Sequence, residues 1–152
     1  EVFLRPLTGQ GSTYRYIGAE PKAIDGGFES IGDMGYFDTD GYLYLADRQT
    51  DMILSGGANI YPAEVEAAID SFQGVRSSAV IGLPHEDLGN YVHAIVDAPG
   101  GIKEEELLSH LQDRLVRYKI PRSIEFSNEP MRDDAGKVRR KALRQERLNE
   151  AN

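Results

Sequence analysis

The chain lacks cysteine altogether in its 152 residues. That excludes a disulfide framework and thiolate metal sites, and it fits a reducing, cytoplasmic setting. Tryptophan is absent too, and histidine is scarce: His85, His93 and His110 do not have metal-ligand spacing, so no metal site is expected. No apolar run approaches the roughly 18 residues of a membrane span, and the amino terminus has no signal-peptide pattern. Positive charge is in deficit. A formal charge of −8 and a pI near 4.9 argue against a general nucleic-acid binder, whose affinity would rest on neutralising phosphates.

What remains is ordinary for a globular protein: 40% hydrophobic and 28% charged residues. The length suffices for one domain with a core, or a small domain plus part of another. The first residue is Glu1, and "EVFLRP" reads like the middle of a strand. "VFLR", a Gly-rich break "TGQGS" and "TYRYIG" suggest short strands around a turn.

Turn chemistry organises the next stretch. Asp40-Gly41 lies between alternating aromatic and apolar residues and predicts a hairpin. Gly56-Gly57 predicts a second. Pro62 suits the first position of a helix, where a missing N–H costs nothing. Val65, Ala68, Ile69 and Phe72 then follow the i, i+3, i+4, i+7 pattern up to Gly74. "VRSSAVIGLP" and "NYVHAIVDA" read as strands flanking "HEDLG". Residues 103–117 predict a helix with Leu107, Leu108, Leu111 and Leu115 as its stripe. "RSIEF" predicts a strand, 127–136 a polar loop and 137–148 a basic helix. The expected fold is α+β: a small carboxy-terminal domain, 50–152, with helices packed on a short mixed sheet, preceded by a mainly β piece, 1–49.

Four passages in order resemble the adenylate-forming superfamily: acyl- and aryl-CoA synthetases, peptide-synthetase adenylation domains and firefly luciferase. They are "SIGDMGYFDTDGYLYLADRQTDMILSGGANIYPAEVE" (30–66), "VIGLPHEDLG" (80–89), "YKIPRSIEF" (118–126) and "GKVRRKAL" (136–143). The resemblance implies that residues 1–49 are the end of the family's large AMP-binding domain and the rest its small mobile domain. The phosphate loop and acyl pocket would then belong to an amino-terminal domain in cis, and this stretch alone should not turn over.

The resemblance also implies site residues. Asp33 matches an ATP-binding aspartate, which can accept hydrogen bonds from both ribose hydroxyls; its plainer alternative is a turn-forming Asp. Arg48 matches a nucleotide-contacting arginine, the alternative being an ion pair with Asp47 or Asp51. Thr50 stands at the domain hinge, where relatives usually have Asp or Lys; a β-branched residue is stiffer. Gly56 and Gly57 match a turn that lines the pantetheine tunnel of CoA ligases. Tyr118, Lys119 and Arg122 match an aromatic-plus-basic segment that meets the CoA nucleotide, although Ile120 replaces an arginine found in some relatives. His85 and Glu86 are given no role.

Lys137 matches the lysine that enters the active site during adenylation, bridging the carboxylate substrate and the α-phosphate. The alternative is a solvated lysine at a helix start. The other basic residues, Arg139, Arg140, Lys141, Arg144 and Arg147, read as a solvated helix without aromatic stacking partners.

The implied activity is an ATP-dependent carboxylic acid–CoA ligase using ATP, CoA and Mg²⁺, the metal held mainly by the large domain. Two alternatives are an adenylating enzyme with a carrier-protein or other acceptor, and a non-catalytic interaction module.

Overall fold

The Asp40-Gly41 turn closes a hairpin in the computed structural model, which describes residues 1–7, 22–134 and 136–150. The "TGQGS" and "TYRYIG" segments lie outside the described residues. The chain divides into two units, Glu1–Thr50 and Asp51–Asn152.

The described residues of the first unit hold five short strands. β1 (Phe3–Leu4), β2 (Ala23–Ile24) and β3 (Phe28–Ser30) form a small antiparallel sheet ordered β1-β3-β2. β4 (Asp33–Phe37) and β5 (Leu43–Arg48) form the hairpin. Asp38 builds its turn, accepting from the Asp40 and Tyr42 amides at 3.0 and 2.9 Å through Oδ1. Those amide dipoles favour the carboxylate and lower the Asp38 pKa. Tyr36 and Tyr44, directly paired across the strands, stack at 5.3 Å between centroids. Val2 is buried, but Tyr36 and Phe37 are 63% and 69% exposed, and Tyr42, Tyr44 and Leu45 are exposed beside them.

A one-turn 3-10 helix, Gln49–Asp51, contains Thr50. Beyond it, β6 (Ile53–Ser55) and β7 (Ala58–Ile60) pair antiparallel across Gly56-Gly57. α1 (Pro62–Asp70) begins with its proline. β8 (Ser77–His85) and β9 (Gly89–Asp97) pair antiparallel along their full length. α2 (Glu104–Gln112) crosses over to β10 (Ser123–Ser127), which runs parallel to β9 from His93 to Asp97. A parallel pair requires such a crossover. α3 (Arg140–Glu150) ends the described chain.

Strand alternation gives this sheet two faces. Val80, Val92, Ala94 and Val96 meet Val65, Ile69, Leu107 and Leu111 from α1 and α2. The opposite face carries Ile81, Leu83 and Ile95, against which Leu143 of α3 packs. This is the expected mixed sheet with helices.

All three helices are shorter than the sequence patterns predicted. α1 stops at Asp70 because the Phe72 amide turns to Ile69 O at 2.9 Å, a tightened last turn well before Gly74. α2 stops at Gln112, yet Leu115 stays buried by turning back onto Leu111 O at 2.9 Å. α3 starts at Arg140, since Val138 is in extended pairing with Arg132. Among the described residues no helix is long and apolar enough to cross a membrane.

Candidate functional site

Asp33 and Arg48 are the first paired residues of the β4–β5 hairpin, with Nε 3.9 Å from Oδ1. Arg48 therefore faces Asp33 across the strands, where the sequence reading had weighed Asp47 or Asp51 as partner. Asp47 instead receives the Arg48 backbone amide at 2.8 Å. At 3.9 Å and well exposed, the ion pair is weak. Both groups keep capacity for a ligand: the carboxylate can accept from vicinal hydroxyls, and the guanidinium can donate to ribose or phosphate oxygens.

In the second unit, Gly56 and Gly57 take positive φ of 56° and 83°, the turn that only glycine makes without strain. Gly56 donates its amide to Leu88 O at 2.9 Å, and a Cβ on it would come within 3.1 Å of the Leu88 side chain. A cleft of about 880 Å³ opens here, lined by Ser55, Gly56, Leu88, Arg117, Tyr118 and Arg122 among others. The structure thus brings Gly56, Tyr118 and Arg122 together. Gly57 and Lys119 do not line the cleft. Lys119 directs its ammonium at both carboxylate oxygens of Glu64, 2.6 Å from each. Arg117, which the sequence reading passed over, supplies a cation to the cleft instead.

Lys137 stands exposed on a loop between β10 and α3. Its main chain is closed tightly: Lys137 N donates to Asp133 Oδ1 (2.9 Å), Asp133 N to Lys137 O (3.1 Å) and Gly136 N to Asp133 O (2.7 Å). Gly136 has φ +73°, and nothing lies within 4 Å of where its Cβ would be. Conformation, not space, is what requires glycine here. Lys137 therefore precedes the helix rather than starting it.

The solvated-helix reading of α3 is corrected for three of its arginines. Arg140 forks onto Glu66, Nε to Oε1 at 3.0 Å and Nη2 to Oε2 at 2.7 Å, while Nη1 reaches Asp51 at 2.9 Å. Arg144 Nε donates to Gly82 O at 2.8 Å. Arg147 forks onto Glu125 at 3.1 and 2.6 Å and lowers its pKa. The positions 140, 144 and 147 share one helix face. Only Arg139 and Lys141 fit the expected exposure, Arg139 lying 3.8 Å from Asp133.

These bonds solve an edge problem. β8 pairs only with β9 among the described strands, so its outer backbone groups need partners. Glu66 and Asp70, one turn apart on α1, serve the strand: Glu66 Oε1 accepts the Val80 amide at 2.9 Å, and Asp70 accepts the Ser78 hydroxyl at 2.6 Å. Burial nonetheless raises the Asp70 pKa. Arg144 takes the Gly82 carbonyl. Beneath α3, His93 is buried with Nδ1 2.7 Å from Ser123 Oγ and Nε2 3.4 Å from Glu125. Burial pushes its pKa down. No three acidic or histidine side chains converge as metal ligands among the described residues, so none of them would hold Mg²⁺ as a group.

A family model, the AMP-binding enzyme C-terminal domain, matches residues 64–137. A long-chain-fatty-acid–CoA ligase of Mycobacterium tuberculosis is 42% identical over 129 residues, 84% of this chain and 26% of that protein. A 2-succinylbenzoate–CoA ligase of Bacillus licheniformis is 43% identical over 125 residues, 82% and 26% respectively. Among solved structures, ATP-bound MatB from Rhodopseudomonas palustris superposes with a TM-score of 0.75 at 37% identity, covering 85% of this chain and 26% of that one. The o-succinylbenzoate–CoA synthetase of Bacillus subtilis with its acyl-adenylate intermediate gives 0.73 at 36%, covering 79% and 25%. The chain spans about a quarter of the length of these relatives.

Proposed function

Residues 64–137 belong to the AMP-binding enzyme C-terminal domain family, and on that premise we propose that this chain is the carboxy-terminal part of an ATP-dependent carboxylic acid–CoA ligase. The observation that carries the reading is the presentation of Lys137. Its ammonium is exposed at the end of the family-matched stretch, on a loop whose main chain is fixed by Asp133. A mobile point charge on a fixed base suits a group that must meet two negatively charged reactants.

In the first half-reaction the carboxylate oxygen of the acid attacks the α-phosphorus of ATP, and the bond to pyrophosphate breaks. Lys137 offsets charge on the attacking carboxylate and on the α-phosphate. Asp33 holds the ribose hydroxyls and Arg48 the ribose or phosphate oxygens. Mg²⁺, which screens the phosphates when bound, would find its ligands in the portion of the relatives that this chain does not span. In the second half-reaction the CoA thiol attacks the acyl carbonyl and AMP leaves. Gly56 and Gly57 would pass the pantetheine arm, with Tyr118 stacking on adenine. Arg117 and Arg122 suit the nucleotide phosphates better than Lys119, whose charge is already engaged by Glu64.

Residues 1–49 would be the end of the large nucleotide-binding domain and 50–152 the small mobile one, with Thr50 at the pivot. Alternation lets one cleft present two surfaces to two chemistries. The exposed aromatic face of the β4–β5 hairpin supports a covering by the rest of that large domain. A cytoplasmic location fits an enzyme that uses ATP and CoA.

The test is acid-dependent exchange of label between pyrophosphate and ATP by the full-length protein, followed by CoA-dependent release of AMP. Exchange with AMP release on adding CoA is expected. Exchange without CoA-dependent release would transfer the reading to another acceptor. Absence of exchange across short, long and aromatic acids would remove it.

A further inference from the structure

Both stems of the Lys137 loop end on one buried carboxylate. Arg132, five residues before the lysine, sets Nη2 3.4 Å from Glu66 Oε2 and Nη1 3.2 Å from Gly136 O. Arg140, three residues after it, forks onto the same Glu66. Glu66, its side chain 2% exposed, also holds the Val80 amide of β8. The third arm of Arg140 bonds Asp51, the first residue of the second unit. One carboxylate thereby receives two guanidiniums and one backbone amide, and fixes where the loop leaves the sheet and where it returns.

We propose that Glu66 is a positioning residue for Lys137, holding the lysine loop in register with α1 and β8. The proposal rests on the reading of Lys137 as the adenylation lysine. Simple attachment of α3 does not require Glu66, because Arg144 on Gly82 and Arg147 on Glu125 already seat that helix further along. Nor does α1 need it to dock, since Val65, Ala68 and Ile69 bury the apolar face. What Glu66 supplies is a common anchor for the two residues that bracket the loop. The forked, largely enclosed Glu66–Arg140 pair holds position strictly, because neither group has much solvent to turn to, and the half-exposed Arg132 adds a looser second contact. Asp70 adds a weaker contact, 3.9 Å from Arg132.

The test uses Glu66→Gln, Arg132→Gln and Lys137→Ala in the full-length protein. Two half-reactions are measured, pyrophosphate–ATP exchange and thioester formation from supplied acyl-adenylate, together with hydrogen exchange of the loop amides. Glu66→Gln should lower adenylation about 10- to 100-fold, the scale of an ångström-level misplacement, and leave thioester formation within about 2-fold. The Gly136 and Lys137 amides, which bond to Asp133, should exchange faster. Arg132→Gln, whose side chain is half-exposed and removes no core group, should show the same split more weakly and decides the matter if Glu66→Gln does not fold. The proposal is overturned if both variants keep adenylation while Lys137→Ala abolishes it, or if Arg132→Gln lowers both half-reactions equally. Unchanged loop exchange in the variants also overturns it. That readout does not depend on what Lys137 does, so an inactive-site reading of Lys137 and a failed anchor are told apart.

Discussion

In the hairpin of Glu1–Thr50, Tyr36, Phe37, Tyr42 and Leu45 stand in solvent, whereas in Asp51–Asn152 the residues Ile60, Val65, Ile69, Leu107 and Leu111 are fully enclosed. The two units have the same overall hydrophobic share, 20 of 50 and 41 of 102 residues, so that share does not separate them. Arrangement does. The second unit has helices to cover one sheet face and a row of arginines to seat α3 on the other. The first has strands and, among its described residues, no α-helix to lie over them. Tyr36 and Tyr44 stand on one face of the hairpin and Phe37, Leu43 and Leu45 on the other, and exposed apolar groups of this kind mark sites for a neighbour. The proposed roles divide the same way: Asp33 and Arg48 sit on the open hairpin, and Lys137 on the self-contained unit.

Core truncation should break the comparison most sharply. Leu107→Ala, at a position with no exposure, should destabilise the second unit by about 2–5 kcal/mol, measured by denaturant unfolding. Phe37→Ser in the first unit should change unfolding by less than about 0.5 kcal/mol. Equal costs at the two positions would mean that the hairpin face is not open.

Breaking a charge pair buried on one side comes next. Asp97 is fully buried and receives Arg76 at 2.5 and 2.9 Å, a pairing that raises the arginine's pKa. Asp97→Asn leaves a half-exposed guanidinium that water can reach, so the loss on denaturant unfolding should be smaller than for Leu107→Ala.

Acid should loosen the second unit in two steps. The folded His93 pKa lies below its ordinary 6.5 because the ring is buried, so the unfolded chain takes up the proton first and stability falls as pH drops through that region. The folded Glu125 pKa lies below 4.5 because of Arg147, so its contribution is present above that value and is lost as pH falls further. Asp70, raised by burial, opposes them: its folded form holds a proton more readily and regains stability toward low pH. His93→Gln should remove the first step from a melting temperature–pH profile and keep the second.

The smallest stability effect is expected at Arg48→Ala. An exposed pair at 3.9 Å contributes less than about 0.5 kcal/mol, yet nucleotide binding by the full-length protein, followed by calorimetry, should weaken about 10-fold, the scale of one lost charge-assisted contact.

Much of this was legible in the sequence where the cause is local. Asp40-Gly41 and Gly56-Gly57 marked two hairpins because few residues adopt those turn conformations, and Pro62 marked a helix start. Helix ends were misjudged because apolar spacing continues past the helix: Phe72 and Leu115 remain at the core after α1 and α2 have ended. The basic run 137–147 was misread for a different reason. Whether an arginine is solvated depends on carboxylates 22 and 74 residues away, Glu125 and Glu66, that only the fold brings to it. Glu64 settles Lys119 in the same non-local way. Asp33 and Arg48 lie opposite one another in a short hairpin register, a pairing the sequence reading did not draw.

The most direct measurement of the account is the effect of Lys137→Ala on the two half-reactions of the full-length protein. Adenylation measured by pyrophosphate–ATP exchange should fall by about 10²- to 10³-fold, the scale of losing one preorganised charge at a reacting centre. Thioester formation from supplied acyl-adenylate and CoA should stay near the wild-type rate. Equal loss of both steps, or retention of both, would contradict it.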